Sequence, residues 1–392
     1  MTRIEDFPQP GPEAQAHSER VVEEIRRRIA AADGQLPFDE YMDAVLYAPG
    51  LGYYTAGARK FGIEGDFITA PEVSPLFSRV LAGQVEEVLQ VMGSGDVLEV
   101  GAGSGVMAAD ILLELNARGS LPGRYFILDI SADLRDRQQE KIAAAVPELL
   151  DRVEWLDDFP ADFEGVVLAN ELLDALPVSR FRMGEDQVSE QIVHEQQGRL
   201  ATGFVPAGEH LSLGVERLQS NLDIALPPGY ESEMSTRLPA LVGAVATAMR
   251  RGLCLFIDYG YPRPEYYHPD RRSGTLMCHY RHRAHLDVLL HPGLQDITSF
   301  VNFTAVAESG LANGLELMGF TTQAQFLLAG GIDQLLSGQE AASDEQRFAL
   351  SQQAQKLVMP GEMGDRFKVM GLSRGLDPLL SGFRLKDLSA SL

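Results

Sequence analysis

The run Asp96-Val97-Leu98-Glu99-Val100-Gly101-Ala102-Gly103-Ser104-Gly105 sets three glycines at alternate positions, two residues after a carboxylate. It reads as a buried strand and a glycine turn, with a helix starting at Val106-Met107-Ala108-Ala109. Glycines let a backbone pass close to a ligand, and the first turn of a helix offers free N–H groups and a positive dipole end. This is the chemistry of a nucleotide-type cofactor site. A dinucleotide fingerprint would need a glycine at position 106, where the chain has Val106, so a nicotinamide cofactor is the poorer match. A ribose-binding acid is expected at the end of the next strand. Arg124-Tyr-Phe-Ile-Leu-Asp129 supplies it. A glycine run alone also serves as a plain turn; strand, turn, helix, strand and closing acid in that order favour a cofactor. The cofactor-binding candidates are Glu99, Gly101, Gly103, Gly105, Asp129 and its neighbour Ile130.

The acidic-x-Gly-x-Gly-x-Gly form resembles motif I of class I S-adenosylmethionine (SAM) methyltransferases, and SAM is the cofactor it implies. Glu99 suits the cationic end of that ligand and Asp129 its ribose diol. Open α/β sheets bind ligands at the carboxyl ends of their strands. Two further segments end strands there: Asn170-Glu-Leu-Leu-Asp-Ala-Leu-Pro177 and Asp258-Tyr259-Gly260. Methyl transfer is an in-line displacement that needs alignment and an electron-rich acceptor. A guanidinium, with a delocalised charge and a pKa above about 12, is a poor nucleophile. Carboxylates can hold it by bidentate bonds and bias its electrons. Glu171 and Asp174, with Asn170, are the catalytic candidates; first-turn acids on a helix dipole explain them equally well. Asp258 and Tyr259 are candidates for the acceptor pocket. Asp66 and Glu72, in the glycine-rich segment before motif I, could reach the cofactor or merely form turns and caps.

The elements that must position these residues alternate. Helices are expected over 13–32, with Val21, Val22, Ile25 and Ile29 on one side and Gly34 as the stop, then from Phe38 to Leu46 and from Ser74 to Val91. Strand one is followed by strands ending at Asp129, near Val153–Trp155, at Gly165–Ala169 and at Leu253–Ile257, with a helix over 132–146 between the second and third. The apolar run of 165–169 suits a parallel strand buried on both faces. The fold class is α/β, a doubly wound, Rossmann-like sheet. Residues 178–215 break the rhythm and read as a β-meander without helical period, within an insertion at about 178–235. A helix is expected near 237–250, a long Pro-, Arg- and His-rich loop to about 300, a helix over 303–317, a strand near 320–326, helices over 331–358 and a last strand near 366–372. Residues 1–75 form an N-terminal accessory element and 76–392 the core. The run Cys278-His279-x-x-His282-x-x-His285 invites a metal reading, but Arg281 and Arg283 interleave and no second pair lies at zinc spacing. No metal is expected.

Composition narrows the setting. The chain has 392 residues, 45% of them hydrophobic, with 33 basic and 56 acidic residues and a net charge of -23. That balance argues against nucleic acid as a partner and is compatible with a basic protein substrate or with plain solubility. No apolar run approaches the ~20 residues of a membrane span. Two cysteines make no disulfide framework, and the first ten residues lack a signal-peptide core. A cytoplasmic setting is expected.

The chain as a whole resembles the MidA family, which includes the mitochondrial arginine methyltransferase needed to assemble respiratory complex I. The resemblance runs through Tyr47-Ala-Pro-Gly-Leu-Gly-Tyr-Tyr54, Gly65-Asp-Phe-Ile-Thr-Ala-Pro-Glu72, Leu98–Gly105, Asn170–Val178, Ile257–Gly260, Gly274-Thr-Leu276, Pro292-Gly293 with Asp296-Ile-Thr298, and Met363-Gly364 with Phe367-Lys-Val369. It implies a class I core with N-terminal and inserted elements forming a substrate cleft. It further implies SAM as cofactor and a protein arginine as acceptor, on a respiratory complex subunit as in the mitochondrial relative. It favours the catalytic reading of Glu171. The family pattern His-Val-Asp-Phe is here Phe300-Val301-Asn302-Phe303, so no role passes to those positions. The alternatives are a methyltransferase for a small molecule or another side chain, and a non-catalytic SAM-binding assembly factor.

Overall fold

A computed structural model describes residues 7–57, 68–338, 343–377 and 380–392. The chain divides into two compact units. One comprises Ile68–Leu173, Pro239–Gly260 and Val301–Leu392; the other comprises Met1–Phe67, Asp174–Leu238 and Tyr261–Phe300.

The first of these is built on an eight-stranded sheet. Its strands are β1 (Asp96–Val100), β2 (Tyr125–Leu128), β3 (Val153–Leu156), β4 (Phe163–Asn170), β5 (Met249–Tyr261), β6 (Val301–Asn302), β7 (Glu316–Thr322) and β8 (Phe367–Arg374). They run in the order β7-β8-β5-β4-β1-β2-β3, with β6 against β5. The pairs β5/β4, β4/β1, β1/β2 and β2/β3 are parallel. β8 lies antiparallel to both β5 and β7. Strand order reverses between β1 and β4, the place where open α/β sheets bind ligands. Parallel strands covered on both faces need apolar residues throughout, and Val166, Val167, Leu168, Leu253, Leu255 and Ile257 are buried accordingly. Each such side chain contributes roughly 1.5–3 kcal/mol.

Helices α1 (Ala70–Val73), α2 (Pro75–Met92), α3 (Val106–Arg118) and α4 (Ala132–Ala145) precede or follow the first strands. Ser74 caps α2 by accepting from Leu76 N at 3.3 Å, and Gly93 ends it in the left-handed region. The helix expected over 303–317 stops at Ala312, because Asn313 and the left-handed Gly314 break it, and β7 begins at Glu316 instead.

The other unit packs the helix Pro12–Ala31, through Val21, Ile25 and Ile29, with the helix Phe38–Tyr47. Val22, expected on that apolar side, is half-buried. The expected meander is present as Ser179–Met183, Val188–Gln196 and Arg199–Pro206. The absence of helical period to 215 is corrected: Glu209–Ser220 is a helix, burying Leu211, Val215 and Leu218 at four- and three-residue spacing. The long loop to 300 carries a three-stranded sheet, Met277–Tyr280, Arg283–His285 and Asp296–Thr298. Arg281 and His282 form its two-residue hairpin turn, both with positive φ as a type I′ turn requires. No helix among the described residues is long and apolar enough to cross a membrane.

Candidate active site

The carboxyl ends of β1, β2, β4 and β5 gather most of the candidates. After β1, Gly101, Gly103 and Gly105 have φ of 73°, 54° and 79°, a left-handed region that side chains other than glycine enter at a cost. A Cβ on Gly105 would lie 2.9 Å from Gln138 Cα, and one on Gly101 3.0 Å from Leu172 Cδ1. The glycine turn is therefore tight against both α4 and the segment that follows β4.

Glu99 is 1% exposed and accepts a 2.5 Å hydrogen bond from the Tyr125 hydroxyl. Burial pushes its carboxyl up to about 7; the Tyr125 bond opposes the shift and the charge of Asp129 adds to it. Asp129 Oδ1 accepts from Ser131 N at 3.0 Å and Oδ2 from Gln138 Nε2 at 2.8 Å. Ile130 is 68% exposed despite its apolar side chain. Glu72, in the short helix α1, accepts from the Ser104 hydroxyl of the glycine turn. Asp66 lies outside the described residues.

At the end of β4 the backbone kinks. Glu171 has φ 49° although it is not glycine, and its N–H donates to Ile257 O at 2.8 Å. Such strain costs about 1–3 kcal/mol and gathers at functional positions. Glu171 Oε1 accepts from Ala70 N and from Asn170 Nδ2, both at 3.2 Å. Asn170 Oδ1 is buried and accepts no hydrogen bond among the described residues. Asp258, 1% exposed, accepts from Leu173 N and Tyr259 N, each at 2.9 Å, and so braces the kink from β5. The Tyr259 ring meets Phe367 edge-on at 5.4 Å.

Asp174 is the first residue of its segment in the other compact unit. There its carbonyl accepts from Ser299 N at 2.9 Å, the Ala175 carbonyl accepts from Tyr47 at 2.8 Å, and Tyr54 donates to Asp296 Oδ1 at 2.8 Å. Tyr47 and Tyr54 stack at 5.5 Å. Burial holds both phenols well above the usual range, and the charges of Asp296 and Asp174 add to the shift. Asn302 caps the helix Phe303–Ala312 by accepting from Ala305 N, and Phe300 packs on Tyr261.

The sequence did not reveal Tyr125, Ser131 and Gln138, which bond the carboxylates of Glu99 and Asp129, or Trp155, which bonds Gln138. Of these only Ser131, an N-cap immediately before α4, left a readable signal.

Residues 80–321, more than half of the chain, match the model of the family described as "Putative S-adenosyl-L-methionine-dependent methyltransferase". The chain belongs to this methyltransferase family. A crystal structure from Burkholderia thailandensis bound to S-adenosyl-homocysteine is 43% identical and covers 99% of this chain and 100% of that one, with a TM-score of 0.93. Among curated proteins, the Drosophila melanogaster protein named protein arginine methyltransferase NDUFAF7 homolog, mitochondrial, is 27% identical over 94% of this chain and 89% of its own. The Homo sapiens protein arginine methyltransferase NDUFAF7, mitochondrial, is 28% identical over 86% of this chain and 80% of its own. These relatives are named mitochondrial, which overturns the expected cytoplasmic setting. A low cysteine count indicates reducing surroundings and does not identify the compartment that provides them.

The methyltransferase is an enzyme of the class I α/β fold and uses SAM. Its own residues fit that cofactor. The glycine turn is too tight for a Cβ at Gly105, crowds one at Gly101, and holds both in the left-handed region. Buried carboxylates close β1 and β2, and the unsatisfied Asn170 Oδ1 stands at the end of β4.

Proposed function

We propose that this methyltransferase methylates the side chain of an arginine in a protein substrate, with Glu171 as the group that orients the guanidinium. The observation that carries the proposal is the placement of Glu171: it sits on a strained kink whose next residue, Leu172, lies against the glycine turn at Gly101. The names of the NDUFAF7 relatives support the acceptor class. SAM supplies an electrophilic methyl group on a sulfonium. Glu99 would face its cationic end, Asp129 the ribose hydroxyls, and the exposed Ile130 the flat face of the adenine, with Gly101, Gly103 and Gly105 admitting the ligand's body. Glu72 would support the turn through Ser104.

Glu171 would accept two N–H bonds from the guanidinium and draw its positive charge away from the attacking nitrogen. The bond from Asn170 Nδ2 and the one from Ala70 N fix the carboxylate before the acceptor arrives, so little reorganisation is left for the reaction itself. Asp258 keeps the kink in shape, and Tyr259 would border the acceptor. The unit containing Asp174, Tyr47, Tyr54 and Asp296 would carry recognition of the surrounding protein chain, a role also proposed for residues 1–75 and the insertion at about 178–235. Given the family resemblance, a respiratory complex subunit is the first acceptor to test.

The test is transfer of tritium from methyl-labelled SAM into an extract of cells lacking this protein. One labelled protein that yields methylarginine on hydrolysis supports the proposal. Label recovered in another methylated residue, or in small molecules, refutes the arginine assignment.

A further inference from the structure

Gln138 lies in the middle of α4 and is fully buried. Its amide is spent on three partners. Nε2 donates to the Gly103 carbonyl at 3.1 Å and to Asp129 Oδ2 at 2.8 Å, and Oε1 accepts from Trp155 Nε1 at 3.0 Å. The network determines the amide's orientation. Turned over, Oε1 would face a carbonyl and a carboxylate, and Nε2 would face an indole N–H that can only donate. One side chain thus ties the centre of the glycine turn to the acid that ends β2. It also anchors both to the chain's single tryptophan, on β3. The backbone of the same residue sits where a Cβ on Gly105 would have to go, at 2.9 Å.

We propose that Gln138 is a positioning residue for the cofactor: it fixes the rotation of the Asp129 carboxylate against the glycine turn and couples Trp155 to the state of that site. The proposal rests on the reading of Asp129 as the ribose-binding acid. Asp129 Oδ1 is held by Ser131 N and Oδ2 by Gln138, so the plane of the carboxylate is set from both sides before a diol approaches. Without the Gln138 donor the carboxylate loses one of the bonds that fix its rotation, and the diol must order it on binding. Trp155 is hydrogen-bonded to the same amide, so its emission follows any change in the Gln138–Asp129 bond.

The experiment measures SAM affinity by calorimetry and Trp155 emission in the full-length wild type and in Gln138→Met, Gln138→Glu and Asp129→Ala, from about pH 6 to 8. Methionine keeps the length and apolar stem but donates nothing. Glutamate keeps the acceptor for Trp155 and sets a second carboxyl against Asp129. Loss of one bond to a charged group predicts about tenfold weaker SAM binding in Gln138→Met at every pH. Gln138→Glu should bind more weakly still at pH 8, and its deficit relative to wild type should shrink toward pH 6, where the introduced carboxyl regains a proton and donates again. SAM should change Trp155 emission in wild type and change it far less in Gln138→Met. Wild-type affinity in Gln138→Met overturns the proposal, as does a Gln138→Glu deficit that is equal at all pH values, since loss of packing alone would not titrate. Should Gln138→Met fail to fold, the pH profile of Gln138→Glu decides by itself. If Asp129→Ala binds SAM as tightly as wild type, the ribose reading of Asp129 fails, a result distinct from any failure at Gln138.

Discussion

Burial strongly alters the acidity of Glu99 at the end of β1. A carboxyl held near 7 keeps its proton across the pH range in which the unfolded chain has lost it. The sign follows from linkage: between roughly pH 4.5 and 7 the folded state binds more protons, so this group lowers stability as pH rises through that window. A cation bound beside it reverses the shift and expels the proton. SAM affinity should therefore rise from pH 6 to pH 8 and then level off, with proton release detectable by calorimetry in buffers of different ionisation enthalpy. Glu99→Gln should flatten the profile, and Tyr125→Phe should move its midpoint to higher pH, because the bond from Tyr125 is what favours the ionised form. A wild-type profile without slope would remove Glu99 from the cation site. The position of Glu99 was legible in the sequence, two residues before a glycine turn. Its altered acidity was not, because that is set by burial in the folded sheet and tempered by a tyrosine hydroxyl 26 residues away on the neighbouring parallel strand.

At the level of elements, the strand ends do the positioning. Strand β1, its glycine turn, α3 and the acid after β2 were all readable, because glycine spacing, apolar runs and a closing acid are local signals. The helix Glu209–Ser220 was hidden by the β-like stretch before it, although Leu211, Val215 and Leu218 carry a helical spacing. The separation of Asp174 from Glu171 into different units could not be read from a three-residue interval, since a division between compact units is set by long-range packing. Gly101→Val should abolish SAM binding, because the added atoms would meet Leu172 and the φ of 73° disfavours a β-branched residue. Retention of SAM affinity in that variant would displace the cofactor site from the turn. Gly105→Ala would set a Cβ 2.9 Å from the backbone of α4 and should cost about 1–3 kcal/mol of stability, read as a lowered midpoint in chemical denaturation. An unchanged midpoint would mean that α4 yields at no cost.

For the molecule as a whole, the net charge of -23 is its most general property. An acidic protein attracts a basic partner over a distance of about 8 Å at physiological salt, and less at higher salt. If the acceptor arginine lies in a basic segment, its KM should rise several-fold between about 50 and 300 mM salt while kcat stays nearly constant. A KM insensitive to salt would assign the charge to solubility alone. The α/β class was visible from the alternation of helical and strand patterns. The antiparallel β8 between β5 and β7 was not, because pairing partners leave no local trace. The cytoplasmic expectation failed because a low cysteine count reports only redox conditions, and the lack of a signal-peptide core or membrane-length apolar run does not single out a compartment.

The most direct measurement compares wild type with Glu171→Gln for SAM affinity and for methyl transfer to the labelled protein acceptor. SAM affinity should stay within about twofold of wild type and turnover should fall by at least about a hundredfold, as expected when a charged contact to the reacting group is lost in the transition state. Full turnover in Glu171→Gln would show that the kink after β4 is a structural cap and that Glu171 does not orient the acceptor.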